Sequence, residues 1–305
     1  MGFSGAENGS VVVMETQTGE IKAISNLGRT LEGKYYEKLN YAVGESHEPG
    51  STFKLMAMVR ALEDKVIDTS DIIDTKSGIL SFYGRKVRDS KKGGYGKISA
   101  ARAFEVSSNT ALVQIINDSY KEYPERFVDG LFEMKINKSL GLPILGEGKP
   151  LFTHPTDKIN WDGLDLPWMA FGYGISLTPL QTLTFYNAIA NDGVMVKPRF
   201  IKEVKYFDQI IEKFETEIIS ESVCSIETVD IVKNMMKNVV EKEHGTAHNI
   251  YSKDFSMAGK TGTCQTEYWK SSGLYISSFA GYFPAENPKY SCIVVIHKPD
   301  KKKGY

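Results

Sequence analysis

The sequence predicts an α+β fold with an antiparallel sheet that is assembled from both ends of the chain. Residues 10–25 and residues 277–297 each contain two β-rich runs joined by a turn, whereas much of the region between them has helical periodicity. Strands, then helices, then strands again are typical of a sheet that packs against helices.

Length and composition are those of an ordinary globular protein. The 305 residues suit two small domains or one large two-lobed domain, with 41% hydrophobic and 25% charged residues. A net charge of -1 gives no argument for nucleic acid or for an acidic membrane surface. Cys224, Cys264 and Cys292 are too far apart for a zinc motif and predict no disulfide framework, although one disulfide among them stays open.

The N-terminal part predicts a hairpin and a helix. Ser10–Thr16 and Glu20–Ser25 flank a glycine-containing turn. Residues 26–48 are polar and irregular, and an apolar run with helical spacing follows Pro49 and Gly50. Residues 64–96 predict a loop with a small hairpin near Ile79–Tyr83.

The middle of the chain predicts short helices. They cover Ser99–Val106, Thr110–Asp118 and Arg126–Leu140, and Leu142–Trp168 is expected to be a surface excursion. Thr178 is a good N-cap, because Pro179 follows it at the first helical position.

The C-terminal part returns to strands after one more helix. The expected elements are a strand pair in Ile201–Phe214, a helix over Ile226–Glu243, a strand over Phe255–Cys264 and a hairpin formed by Ser277–Phe283 and Lys289–His297.

Three short motifs point to chemistry. Ser51 and Lys54 are three residues apart at the start of a helix, so a hydroxyl and an amine share one face. Ser107-Ser108-Asn109 lies between two predicted helices, and Lys260-Thr261-Gly262-Thr263 lies on a late strand. Each motif is weak alone, but together they match the signature of class A β-lactamases and penicillin-binding proteins.

On these residues the chain resembles the class B penicillin-binding protein transpeptidases. Further landmarks extend the resemblance over about residues 10–300: Thr18-Gly19-Glu20-Ile21, Tyr41-Ala42-Val43, Gly172-Tyr173-Gly174, Thr178-Pro179-Leu180-Gln181 and Gly245-Thr246-Ala247. The glycine–tyrosine–glycine segment and the Thr178 segment are closer to the cell-division (septal) branch. The resemblance implies the penicillin-binding protein/serine β-lactamase fold, with a mixed lobe and an all-helical lobe.

The resemblance also implies a peptidoglycan D,D-transpeptidase, with possible D,D-carboxypeptidase side activity and no cofactor or metal. Ser51 would be acylated by a D-Ala-D-Ala stem peptide or by a β-lactam, and Lys54 would take its proton. A free lysine has a pKa of about 10.4, so burial and a neighbouring cation, for which Lys260 is the candidate, would have to lower it.

The other motif residues would bind the substrate. Ser107 would relay protons, Asn109 would hold the peptide amide, and the backbone N–H groups of Ser51 and Thr263 would form the oxyanion hole. Lys260, Thr261 and Thr263 would receive the terminal carboxylate. Gly262 is expected because a side chain there would block a substrate lying along the strand.

Two alternatives remain open: a serine β-lactamase and a β-lactam sensor domain of the same fold. A class A β-lactamase needs a deacylating glutamate, and Glu133 in Glu133–Asn137 is the candidate. His47 could serve as a base in a serine–histidine scheme, although an ordinary loop histidine is expected. His244 and His248 beside Glu243 are not expected to bind a metal, since Gly245 and Thr246 separate them.

Residues 1–305 are expected to be one two-lobed catalytic domain. About nine residues precede Ser10 and the chain stops at Lys301–Tyr305, so the membrane anchor, pedestal domain and terminal sheet-covering helices of the family are expected to be absent from a soluble fragment. An uncovered sheet face should promote association or lower stability. The full-length protein would act on the extracytoplasmic face of the bacterial membrane, with a membrane glycosyltransferase and divisome proteins as partners and no nucleic acid.

Overall fold

A six-stranded antiparallel sheet contains strands from both ends of the chain. The computed structural model describes residues 1–2, 4–266 and 274–300. The strands are β1 Asn8–Glu15, β2 Ile21–Arg29, β3 Tyr35–Tyr36, β4 Ile72–Asp74, β5 Ile79–Phe82, β6 Arg85–Arg88, β7 Lys97–Ser99, β8 Met195–Val196, β9 Glu203–Tyr206, β10 Gln209–Lys213, β11 Ile218–Ser220, β12 Ala258–Thr266, β13 Leu274–Phe283 and β14 Tyr290–His297. The large sheet has the order β12-β13-β14-β1-β2-β3, which confirms the expected α+β fold.

Eight α-helices fill the described middle of the chain. They are α1 Tyr41–Gly44, α2 Lys54–Glu63, α3 Ala100–Glu105, α4 Asn109–Tyr120, α5 Pro124–Glu133, α6 Asp165–Met169, α7 Pro179–Ala190 and α8 Ile226–Glu241. Two 3₁₀ turns, Gly50–Phe53 and His248–Ile250, complete the helical elements within the described residues.

The sheet buries one face against α7. Val12, Met14, Ile293 and Val295 alternate along β1 and β14 and are at most 2% exposed, as expected for strands with one face in the core. Every residue of α7 is buried, including its polar ones. Helix α7 therefore lies between the sheet and the helical part of the molecule.

Polar side chains of α7 attach it to its neighbours. Asn187 Nδ2 donates to the Thr16 carbonyl at 2.9 Å, and Asn187 Oδ1 accepts from Ser291 Oγ at 2.8 Å. Tyr186 Oη donates to the Thr52 carbonyl at 2.8 Å. Buried polar groups need such partners, and these contacts set the position of residue 52 relative to the sheet.

Most predicted elements are present, and one helix is shorter than expected. The expected helix Arg126–Leu140 is observed as Pro124–Glu133. Lys135 has a φ of +63°, a left-handed conformation that ends a helix. Thr178 caps α7 as predicted, with a reciprocal contact from Gln181.

None of the helices in residues 1–2, 4–266 and 274–300 combines the length and the apolar character that a membrane span requires. Residues 301–305, on which the expectation about the end of the chain rests, lie outside the described residues.

Candidate active site

Ser51 lies on a tight turn that two glycines make possible. Gly50 has a φ of +56°, and its N–H donates to the Gly172 carbonyl at 3.1 Å. A Cβ on Gly172, whose φ is +86°, would lie 2.1 Å from the Gly50 carbonyl oxygen. The backbones at residues 50 and 172 are therefore in direct contact, and this contact fixes the position of the turn that carries Ser51.

The amine of Lys54 is the buried centre of the site. The residue has 0% exposure, and its Nζ donates to the Ser107 carbonyl at 2.7 Å and to Asn109 Oδ1 at 2.6 Å. Nζ also lies 3.1 Å from Ser107 Oγ. A neutral amine has two N–H bonds and one lone pair, so the two oxygens that can only accept take the N–H groups and the Ser107 hydroxyl can donate to the lone pair.

Burial and charge together lower the pKa of Lys54. Burial is the larger cause and holds this pKa well below its usual range, repulsion from Lys260 lowers it further, and Asp89 opposes the shift. The sequence expectation that Lys260 contributes is confirmed, although loss of water is the greater effect. The amine can therefore be neutral at a pH where an exposed lysine is charged.

Ser51 Oγ makes no hydrogen bond to any residue that the structure describes, Lys54 included. The predicted contact between hydroxyl and amine is therefore not formed here, because Ser107 and Asn109 occupy the three positions around Nζ. Ser51 instead faces the cleft. Ser51 and Lys54 are three residues apart, so their side chains still share one face of the helical turn.

The Asp89 carboxylate, which the sequence reasoning missed, holds the second motif, Ser107-Ser108-Asn109, through hydrogen bonds. Ser108 caps α4, and its hydroxyl donates to Asp89 Oδ1 at 3.0 Å. Thr110 donates to the same carboxylate through its N–H at 2.9 Å and its hydroxyl at 2.8 Å. Ser107 has a φ of +58°, a conformation that costs energy for a residue with a Cβ.

The third motif divides its side chains between the cleft and the interior. Thr261 and Thr263 line the cleft, whereas Lys260 is fully buried on the opposite face of β12. Lys260 Nζ lies 5.8 Å from the centre of the Phe104 ring, and burial lowers its pKa to about 7. Thr261 Oγ1 lies 2.6 Å from Thr246 Oγ1.

The structure gives a different reason for Gly262 than the sequence did. A Cβ there would lie 2.3 Å from Ser278 Oγ and 2.9 Å from Thr52 Cγ2. The residue at 262 must therefore lack a side chain so that β12 can pack against β13 and against the turn after Ser51. The predicted glycine is present, but the contact that requires it lies within the protein.

Six of the predicted residues line one cleft of about 1240 Å³, namely Ser51, Ser107, Asn109, Thr261, Gly262 and Thr263. Lys54 forms hydrogen bonds with Ser107 and Asn109, and Lys260 is close enough to influence the pKa of Lys54. The cleft therefore presents a serine hydroxyl beside an amine that can act as a base. Such a pair can form an acyl ester on Ser51 and then transfer the acyl group to an acceptor.

Tyr173 and Thr246 are cleft residues that sequence reasoning noted only as family landmarks. Tyr173 Oη accepts from the Gln265 N–H at 2.8 Å, which ties the loop after Gly172 to β12. A tyrosine between two glycines was the available signal. Asp89 carried no signal of its own, because it is one of several charged residues in a polar loop.

The competing candidates lie elsewhere or have structural partners. His47 packs against His297 with ring centroids 4.9 Å apart, and burial lowers its pKa to about 4. Glu133 accepts from Arg60 at 2.9 Å, with 72% of its side chain exposed. His244 contacts Glu105. Among the described residues no group of three potential metal ligands is present.

Known proteins resemble the chain throughout its length. The family described as the penicillin binding protein transpeptidase domain matches residues 9–305. Penicillin-binding protein PbpB of Mycobacterium tuberculosis is 31% identical over 316 residues, which cover 97% of this chain and 45% of that protein. Peptidoglycan D,D-transpeptidase FtsI of Escherichia coli K12 is 27% identical over 312 residues, covering 99% and 49%. The chain thus spans about half the length of the curated relatives it matches.

A solved structure has the same fold. Penicillin-binding protein 3 of M. tuberculosis, crystallised in complex with aztreonam, has a TM-score of 0.82 and 28% identity, covering 97% of this chain and 68% of that one. The same protein has also been crystallised with ampicillin.

Proposed function

The chain belongs to the penicillin-binding protein transpeptidase family, and from that premise we propose that it carries the acyl-transfer site of a peptidoglycan D,D-transpeptidase. One observation carries the proposal. The buried Lys54 amine contacts both cleft-lining residues of the second motif, within one helical turn of Ser51 and beside Lys260. A lysine with a lowered pKa next to a serine is suited to act as a base at neutral pH.

In the first step Ser51 attacks the carbonyl carbon between two terminal D-alanines of a stem peptide. The Ser51 proton passes to the neutral Lys54 amine as the carbon–oxygen bond forms. The backbone N–H groups of Ser51 and Thr263 would stabilise the oxyanion. The contact between residues 50 and 263 supports this role: a Cβ on Gly50 would lie 3.0 Å from the Thr263 carbonyl oxygen. Each such donor typically contributes a few kcal/mol.

Collapse of the intermediate breaks the amide bond and releases D-alanine. Its nitrogen takes a proton from Ser107, which recovers one from Lys54 through their 3.1 Å contact. In the second step the amine of a neighbouring stem peptide attacks the ester, and its proton returns by the reverse route to Ser51.

The remaining motif residues bind the peptide. Thr261 and Thr263 present hydroxyls to the cleft for the terminal carboxylate, with the charge of Lys260 behind them. The Asn109 amide would hold the peptide amide, and its present partners, Lys54 and the Arg88 carbonyl, fix its orientation. β-Lactams would acylate Ser51 by the same first step.

A septal role is part of the proposal. Its support is the names of relatives, which include FtsI, PbpB and stage V sporulation protein D of Bacillus subtilis. In the whole protein the site would face the extracytoplasmic side of the membrane, where peptidoglycan lies, and the partners would be a glycosyltransferase and divisome proteins.

The position of Glu133 disfavours a class A β-lactamase. That mechanism needs a glutamate that directs water at the acyl ester, and Glu133 lines a different pocket together with its partner Arg60. A β-lactam sensor is distinguished by turnover, because a sensor would be acylated without transferring a peptide.

Labelling with a fluorescent penicillin tests the proposal. The unaltered chain should acquire a stable covalent label, and Ser51→Ala should acquire none. Absence of label on the unaltered chain would refute the proposed function. Rapid release of hydrolysed drug would assign the chain to the β-lactamases.

A further inference from the structure

The hairpin of β5 and β6 forms a basic wall of the cleft. Arg85, Lys86 and Arg88 all line the cleft that contains Ser51, and all three are exposed. Val87 between them also lines the cleft but is only 2% exposed, so the alternation of a strand places the side chains of Lys86 and Arg88 together on the exposed face of β6.

This wall is attached to the catalytic residues. The Arg88 carbonyl accepts from Asn109 Nδ2 at 2.8 Å, and the next residue, Asp89, is bonded to Ser108 and Thr110. The backbone that carries the two cations is therefore held in register with the second motif, although their side chains reach into solvent.

Neither cation forms an ion pair within the part of the chain that the structure describes. None of the ion pairs there involves Lys86 or Arg88. The nearest carboxylate in sequence, Asp89, is turned toward the N-terminus of α4. Asp162 and Asp165 also line the cleft, but among the described residues neither forms an ion pair with Lys86 or Arg88, and both accept from backbone N–H groups, of residues 164 and 162 respectively.

Two adjacent cations without an acidic partner attract an anion, and a carboxylate can accept from both. We propose that Lys86 and Arg88 bind a carboxylate of the peptidoglycan peptide other than its C-terminal one, so that the enzyme prefers a free carboxylate to the corresponding amide at that position. The proposal rests on the proposed function and names the chemical class of its substrate.

The carboxylate could belong to the donor peptide or to the acceptor peptide. A donor carboxylate would favour formation of the acyl-enzyme. A carboxylate beside the attacking amine of the acceptor peptide would favour transfer of the acyl group from the acyl-enzyme to that amine. The two steps can be measured separately, so the source of the carboxylate is an outcome of the experiment.

The test uses two matched pairs of substrates. One pair consists of D-Ala-D-Ala donor peptides that carry either a carboxylate or a primary amide on a side chain. The other pair consists of acceptor amines with either a neighbouring carboxylate or its amide. The second-order rate constants of acylation and of acyl transfer are measured for the unaltered chain, Lys86→Gln, Arg88→Gln and Arg88→Lys.

We expect the unaltered chain to prefer one carboxylate substrate by about tenfold, as one charge-assisted hydrogen bond provides. The preference should fall with added salt and disappear in Lys86→Gln and Arg88→Gln, whereas Arg88→Lys should keep part of it. Lys92→Gln is the matched control, since Lys92 is an exposed cation outside the set of cleft-lining residues. It should leave the preference unchanged.

Equal rates with carboxylate and amide in both pairs would overturn the inference, as would a preference that both glutamine variants retain. Penicillin labelling of the unaltered chain distinguishes failure of this inference from failure of the proposed function. A chain that is labelled but shows no preference contradicts the basic wall alone, whereas an unlabelled chain contradicts the proposed function.

Discussion

Lys54 Nζ donates to Asn109 Oδ1 at 2.6 Å, while Asn109 Nδ2 donates to the Arg88 carbonyl at 2.8 Å. One amide side chain thus connects the α2 helix, the start of α4 and the hairpin that forms one wall of the cleft. Because both of its polar atoms are engaged, Asn109 fixes the direction in which the Lys54 amine points.

Asn109→Ala should lower the rate constant of penicillin acylation by roughly 10- to 100-fold, because the amine loses a partner and the wall loses its attachment. Asn117→Ala, on the exposed side of the same helix with a 3.4 Å contact to Asp118, is the control and should acylate normally. Stopped-flow fluorescence with both variants checks this. Equal rates would remove Asn109 from the site.

The pKa of Lys54 should respond in opposite directions to two substitutions. Lys260→Met removes a repulsion that lowers the pKa of Lys54, so this pKa rises. The acid limb of the pH profile of acylation should therefore move to higher pH. Asp89→Asn removes an attraction that raises it, so the acid limb moves to lower pH. The measurement is the pH profile of the acylation rate constant, and the position of the acid limb is the readout.

Shifts in the same direction would contradict the assignment of Lys54 as the base. Lys260 and Lys54 interact, so the observed pKa values belong to the pair. The pKa of Lys260 is about 7, and its effect on Lys54 should therefore be largest below that pH.

Gly172→Ala should destabilise the fold far more than Gly93→Ala. Both glycines have a φ of +86°, but a Cβ on Gly172 would strike the Gly50 carbonyl, whereas one on Gly93 would meet nothing within 4 Å. Left-handed backbone alone costs an alanine about 1–2 kcal/mol, and overpacking adds about 1–3 kcal/mol. Urea unfolding of both variants gives the difference. Equal losses would mean that the contact between the loops is not tight.

Tyr186→Phe should lower the free energy of unfolding by roughly 1–2 kcal/mol, because the buried Thr52 carbonyl loses the hydrogen bond from Tyr186. Tyr282→Phe is the matched control: its buried hydroxyl has no partner among the described residues, so its removal should be neutral or stabilising. Thermal unfolding of the two variants should differ in sign or size. A larger loss for Tyr282→Phe would contradict the assignment.

Local patterns predicted the elements that carry the site. The cap at Thr178, the helix after Gly50 and the two hairpins of the large sheet each depend on neighbours in sequence, and each is observed. The three motifs were also placed on the right kinds of element. Local propensity suffices there because the cap and the alternation are short-range effects.

Contacts between distant segments could not be predicted. The carboxylate of Asp89 lies under residues 108 and 110, and the Gly172 carbonyl meets the N–H of Gly50, although no sequence pattern links these positions. The present orientation of the Lys54 amine is also a tertiary property. It depends on hydrogen bonds to Ser107 and Asn109, which lie more than 50 residues away in sequence.

The most direct test is the mass of the chain during reaction with a thioester analogue of a D-Ala-D-Ala donor. We expect an added acyl group on Ser51, no addition in Ser51→Ala, and faster loss of the group when an acceptor amine is supplied, with an amide as product. An acyl group that persists in Ser51→Ala, or one that water removes as fast as the amine does, would contradict this expectation.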